Sequence, residues 1–272
     1  MKIIGIDFTS RPTNRKPITC VRCSLKENLL SVETLELWPS FTPFEEALVT
    51  PGPWIAGIDF PFGQSRKFIE NIGWPRSWAH YVRHANELGR DEFCKALDNY
   101  RQPRAWRDKE HQRKTDTAAG SISPQKLYGV PVGLMFFEGA HRLLRSGVMI
   151  PAVQSGDQSR IVVEAYPGFL ARQLIGRTSY KSDNPKKQTE AQRHARRDLL
   201  DRLIIGLEAS HGLRVKAPAT LADDPTGDQL DALLCAVQAA WAWSMRRSGF
   251  GAPHDTDALE GWIADPGVCR LA

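Results

Sequence analysis

The 272-residue chain has only five cysteines, an odd number scattered from Cys20 to Cys269. Such a set does not build a disulfide framework. Cys20-Val-Arg-Cys23 has zinc-like spacing, but no second pair completes it. If that stretch is a strand, residues three apart point to opposite faces. His80 and His84 lie four apart on a predicted helix, yet neither a Glu nor a third His joins them, so the zinc-helix pattern is incomplete. Long apolar runs are missing too. None approaches the ~18–20 residues of a membrane span. The apolar run at the start is short and broken by Asp7, so a secretory signal peptide is not expected. The expectation is a soluble, cytoplasmic protein with no membrane partner. Charge of one sign is not in large excess: 36 basic and 31 acidic residues give a net charge of +5. That bias permits an anionic partner without requiring one.

What is present is a repeated phrase. Lys2–Ser10 is a short run rich in β-branched residues that ends on Asp7, and Trp54–Gly63 repeats it with Asp59 in the same place. Runs of this kind suit strands buried on both faces. Each Asp then sits at a strand's carboxyl end, where open α/β sheets place their ligands. Either acid alone is equally well a turn cap. Two unpaired carboxylates on neighbouring strands repel one another and are costly to desolvate, which points to a bound cation or a shared proton.

Between and after these strands the periodicities alternate. Ile18–Leu25 and Leu29–Leu37 read as a hairpin, and Thr42–Leu48 as a short helix. Gln64–Ser159 breaks the alternation. Its helical spacing runs from Trp78 to Leu88, continues over Asp91–Asn99, and returns at Val132–Ser146, which Gly147 stops. Arg101–Ser123 is basic and aperiodic, a loop or a segment ordered on binding. Arg160–Pro167 is a further buried strand with Glu164 near its end. Pro185–Ser210 reads as one long helix carrying Lys186 and Lys187 at its approach. Thr226-Gly-Asp-Gln229 has capping-box spacing and opens a last main helix, with Asp228 and Asp231 on one side of its first turns. The helix dipole alone accounts for an acid at Asp228; Asp231 abuts the core-facing stripe.

Together these phrases resemble a known family. Gly5-Ile-Asp-Phe, Gly57-Ile-Asp-Phe-Pro, Glu164-Ala-Tyr-Pro167, Tyr180-Lys181, Asp231-Ala-Leu and Glu260-Gly-Trp-Ile263 are similar to motifs of the predicted ribonuclease-H-like nucleases of domain of unknown function 429. Asp228-Gln-Leu-Asp231-Ala-Leu233 resembles the closing motif of Holliday-junction resolvases of the same superfamily. The resemblance implies an α/β fold of ribonuclease-H-like type: a mixed central sheet, its first three strands antiparallel, flanked by helices. One such domain would span residues 1–272, with a largely helical, basic insertion over 64–159.

The implied chemistry is phosphodiester hydrolysis of DNA or RNA with two Mg²⁺ or Mn²⁺ ions ~4 Å apart. Hard cations take oxygen ligands; Asp7 would bridge the ions, Asp59 and Asp231 would hold one each, and Asp228 and Glu164 would serve beside them. Arg101, Arg104, Arg107, Lys181, Lys186 and Lys187 would receive the phosphate backbone. The charged face of Pro185–Arg202 is equally a solvated helix surface. Trp74, Trp78 and Trp106 are stacking candidates, although core packing is the plainer role for Trp78. Two other functions share the pattern. An actin-like or sugar-kinase-type phosphotransferase would use Asp7-Phe-Thr-Ser10 as its phosphate loop, but a second glycine-rich loop is missing. A non-catalytic nucleic-acid-binding module would keep the fold without turnover.

Overall fold

A computed structural model describes residues 1–271. Its strands are β1 (Lys2–Asp7), β2 (Ile18–Lys26), β3 (Leu29–Trp38), β4 (Trp54–Ile58), β5 (Val148–Met149), β6 (Asp157–Glu164) and β7 (Arg214–Lys216). The helices are α1 (Phe41–Val49), α2 (Arg66–Ile72), α3 (Trp78–Arg101), α4 (Lys114–Ala119), α5 (Val132–Ser146), α6 (Pro167–Ile175), α7 (Glu190–Ile205), α8 (Glu208–His211), α9 (Asp228–Ser244) and α10 (Pro266–Cys269). All strands join one sheet in the order β5-β6-β4-β1-β2-β3-β7. β2 runs antiparallel to both β1 and β3, while β4 is parallel to β1 and β6. This mixed sheet, its first strands antiparallel and helices on both faces, is consistent with a ribonuclease-H-like fold. Among the described residues no helix is long and apolar enough to cross a membrane.

Side-chain parity divides the core. Ile3 on β1 and Ile55 on β4 pack with α6, α7 and α9 on one face. Ile4 and Ile6, with Ala56 and Ile58, pack with α1, α2, α3 and α5 on the other. Cys20 and Cys23 fall in opposite cores, as residues three apart on a strand must. Trp74 and Trp78 are core residues, whereas Trp106 is 83% exposed.

Helix α9 is the centre of its layer. From Leu230 to Ala242 only buried residues occur, which marks a helix enclosed on every side. It reaches the sheet by approaching bare backbone. A methyl group at Gly5 would lie 2.5 Å from the Ala236 nitrogen and closer still to the Ala232 carbonyl oxygen; one at Gly57 would strike the Cys235 carbonyl.

Several elements depart from the sequence expectation. The strands β5 and β7, of two and three residues, carry too few side chains to show a period. The predicted helix over Pro185–Ser210 is broken: a 3₁₀ turn at Pro185–Lys187 precedes α7, which Thr189 caps reciprocally with Gln192, and the chain breaks again at Gly206. No capping box forms at Thr226. Asp224 takes that role instead, accepting from the Thr226 and Gln229 backbone N–H groups at 3.0 and 3.1 Å. Arg101–Ser123 holds a 3₁₀ turn and α4, organised by ion pairs rather than by an apolar stripe.

Because rigid backbone faces both glycines, Gly5→Ala and Gly57→Ala are expected to destabilise the protein by about 3 kcal/mol or more each. Denaturant titration checks this, and a change below about 1 kcal/mol would show that the helix can shift.

Candidate active site

The glycine contacts dictate where the acids go. Two residues beyond Gly5 on the same face comes Asp7, and two beyond Gly57 comes Asp59. The Asp59 N–H donates to the Ile6 carbonyl at 3.0 Å, which holds the two strand ends side by side. One turn before Ala232 and Cys235, α9 supplies Asp228 and Asp231 to the same corner. The four acids feel one another. Asp7 titrates well above the ordinary carboxyl range, first because it is buried and then because Asp231 and Asp228 repel its charge. Asp59 is pushed up to about 7, by burial first and Asp231 second, against a lowering pull from Lys181. Burial also raises Asp228, although Lys16 opposes it.

Two ammonium groups enter this cluster. Lys181 donates to Asp231, whose other carboxylate oxygen accepts from the Tyr180 hydroxyl at 2.5 Å. Lys16 donates to both oxygens of Asp228 at 2.9 Å and to Asp183 at 2.7 Å. Burial alone would lower Lys16; Asp228 outweighs it and raises the group to about 12. The Asp7 and Asp59 carboxylates accept no hydrogen bond from the described residues, and Asp7 is only 8% exposed.

Glu164 adds to the repulsion on Asp59 but points to the other face of the sheet. Ile58 is its register partner on β4, so Glu164 shares the parity of Ile58 and faces the side of α1, α2, α3 and α5. There Arg113, 1% exposed, donates to its two oxygens at 2.5 and 2.7 Å and to Asp116 at 2.8 and 2.9 Å. The Phe62 N–H adds a further bond to Glu164 at 2.9 Å. With its oxygens bound in this way, Glu164 is a structural partner of Arg113 and not a free ligand.

The expected phosphate-binding residues divide in the same way. Arg101 pairs with Asp98 and Glu110, and Arg104 with Asp108 while covering the Tyr100 ring. Arg107, Lys186 and Lys187 are exposed. Lys181 turns its ammonium into the acids rather than outward. Sequence reasoning missed Lys16, which sits in a polar turn with no periodic signal, and it placed Arg113 in a basic loop without its buried partners.

Divalent cations need oxygen donors that are not already taken. Asp7 and Asp59 offer them, while Asp228 and Asp231 are held by lysines. Four carboxylates and two ammonium groups leave two negative charges, the deficit that one Mg²⁺ or Mn²⁺ fills. Among the described residues no three His, Cys, Asp or Glu side chains stand arranged to hold an ion. Asp7 and Asp59 are thus the donors left free for a cation, and Asp231 could join them only if Lys181 leaves it.

A carboxyl that holds its proton more tightly folded than unfolded stabilises the fold below its unfolded pKa, about 3.9. That contribution is lost as pH rises through the folded value, about 7 for Asp59. Melting temperature in EDTA is thus expected to fall from pH ~4 to ~8, and Asp59→Asn to flatten the profile. A profile with the same slope in both proteins would show that Asp59 ionises freely.

The two central acids should also differ in sign. At pH 8 without metal, Asp7→Asn removes repulsion and should raise the melting temperature. Asp231→Asn weakens two charge-assisted hydrogen bonds and should cost roughly 2 kcal/mol. Calorimetry reads both, and destabilisation by Asp7→Asn would mark Asp7 as a structural partner.

A family model described as protein of unknown function (DUF429) matches residues 5–255. No curated protein and no solved structure matches the chain.

Proposed function

The chain belongs to the DUF429 family, proteins of unknown function, and from the acidic corner that the matched segment encloses we propose a metal-dependent nuclease that hydrolyses phosphodiester bonds of DNA or RNA. One observation carries this reading: Asp7 and Asp59 are unpartnered carboxylates on adjacent parallel strand ends, beside two further acids. Carboxylates held close and without protein donors favour a hard divalent cation, which replaces the protons that burial would otherwise keep on them. Mg²⁺ or Mn²⁺ on Asp7 and Asp59 would supply Lewis-acid activation of water and phosphate. The two-ion arrangement implied by the resemblance needs Asp231 as well, and hence displacement of Lys181.

The chain's own groups have separate tasks in this reading. Asp7 and Asp59 hold the cation. Asp231 fixes the Lys181 ammonium at the edge of the site, where it meets a phosphate oxygen. Lys16 keeps Asp228 from adding a further repulsive charge. Exposed Arg107, Lys186 and Lys187 attract the nucleic-acid backbone electrostatically, with no element shaped to read base sequence. A cytoplasmic location suits five free cysteines, which stay reduced there.

Labelled DNA, RNA and hybrid are incubated with the pure protein and Mn²⁺ or EDTA. Cleavage with Mn²⁺ alone is expected, lowered by at least about 100-fold in Asp7→Asn while the fold is retained. Binding should weaken with a log–log salt slope of several units. Cleavage that persists in EDTA, or that Asp7→Asn leaves intact, would overturn the reading.

A further inference from the structure

The acids border a cavity that their chemistry does not explain. A pocket of about 360 Å³ opens beside Asp59, Asp231 and Lys181 and runs toward the insertion. Its walls are mainly apolar: Ile122, Val130, Val132, Met135, Tyr166 and Ile263. Ile122 and Val130 stand 41% and 61% exposed at its rim, apolar surface without a partner in the chain.

The charges at its inner end are already spent. Arg113 is saturated by Asp116, Glu164 and the Glu260 carbonyl, and the Ser121 hydroxyl donates to Asp116 at 2.9 Å. An anionic group inside the pocket would find no free cation there. Lys181 is the pocket's remaining cation, and it lies at the acidic end. The pocket therefore offers an apolar-walled recess with no free cation inside it, next to a place suited to phosphate and metal.

Together with the phosphodiester reading above, on which this rests, the geometry points to one occupant: an unstacked nucleobase belonging to the nucleotide whose phosphate meets Lys181 beside the carboxylates. A base has apolar faces for such walls and is tethered to its phosphate by a single sugar. A base stacked inside a duplex cannot enter, since the recess accepts a group only after it has left its neighbours. The favoured substrate class is thus single-stranded nucleic acid or a frayed end, selected by base capture rather than by sequence.

The probes are a single-stranded oligonucleotide containing 2-aminopurine, the same strand with an abasic site in its place, and the blunt duplex. Each is bound to the intact protein in EDTA and followed by anisotropy and by 2-aminopurine emission. Met135→Trp fills the pocket. Ile122→Ser trims its exposed rim and leaves the core untouched. The expected result is a change in emission on binding and single-strand affinity above that of the duplex. An affinity loss of at least about tenfold is expected for the abasic strand and for Met135→Trp, with a smaller loss for Ile122→Ser.

Equal binding of abasic strand, intact strand and duplex, unaffected by either variant, would overturn the pocket assignment. If metal-dependent cleavage persisted alongside that result, the nuclease reading would survive it. Base-dependent binding without cleavage of any substrate would support the pocket and remove the hydrolysis.

Discussion

A helix with no exposed face meets a sheet at two positions that carry no side chain, and the acidic corner follows from that contact. With Gly5 and Gly57 pressed on the backbone of α9, neither strand can slide or rotate against the helix. The strands are themselves hydrogen-bonded neighbours. Four carboxylates are thereby held at a separation set by the packing of apolar residues below them. Their mutual repulsion cannot relax by movement of the main chain. It has to be met by counter-charge.

The molecule supplies part of that counter-charge internally, and the division is uneven. The acids of α9 each receive a lysine, Lys16 from the loop after β1 and Lys181 from the segment after α6. The acids of the strands receive none, and protons fill the gap when no metal is available. Lys181 is held by one member of the cluster and is 43% exposed along its side chain. It is thus placed to move between an acid and an incoming phosphate, whereas Lys16, held by both oxygens of Asp228 and by Asp183, is a fixed tie.

Much of the sheet could be read from the chain because buried strands write continuous apolar runs, and Asp7 and Asp59 were singled out because they interrupt two such runs at the same point. Asp228 was named with Asp231, though the helix dipole alone accounts for an acid there. Asp231 was legible from its position against the apolar stripe of α9. Glu164 was misleading for a reason of register: an acid ending a buried run reads alike on either face, and only pairing with Ile58 reveals which face it takes. The order of the Arg101–Ser123 segment was hidden because ion pairs have no period. Lys16 was hidden because a turn lysine looks the same whether it is solvated or bound to a buried carboxylate 212 residues away.

The buried Arg113–Glu164 pair also has a kinetic meaning. Its partners lie 51 residues apart, and Glu164 closes on Phe62 across 102 residues. The helices between β4 and β6 are built from local contacts and can form early, while pairing of β6 must wait for a long loop to close. Until then a guanidinium destined for the interior has lost only one of its two carboxylate partners, Asp116 being its sequence neighbour. Closure of the sheet and burial of that charge therefore belong to one late step. The strand β6 and the charge that it covers thus reach their places together.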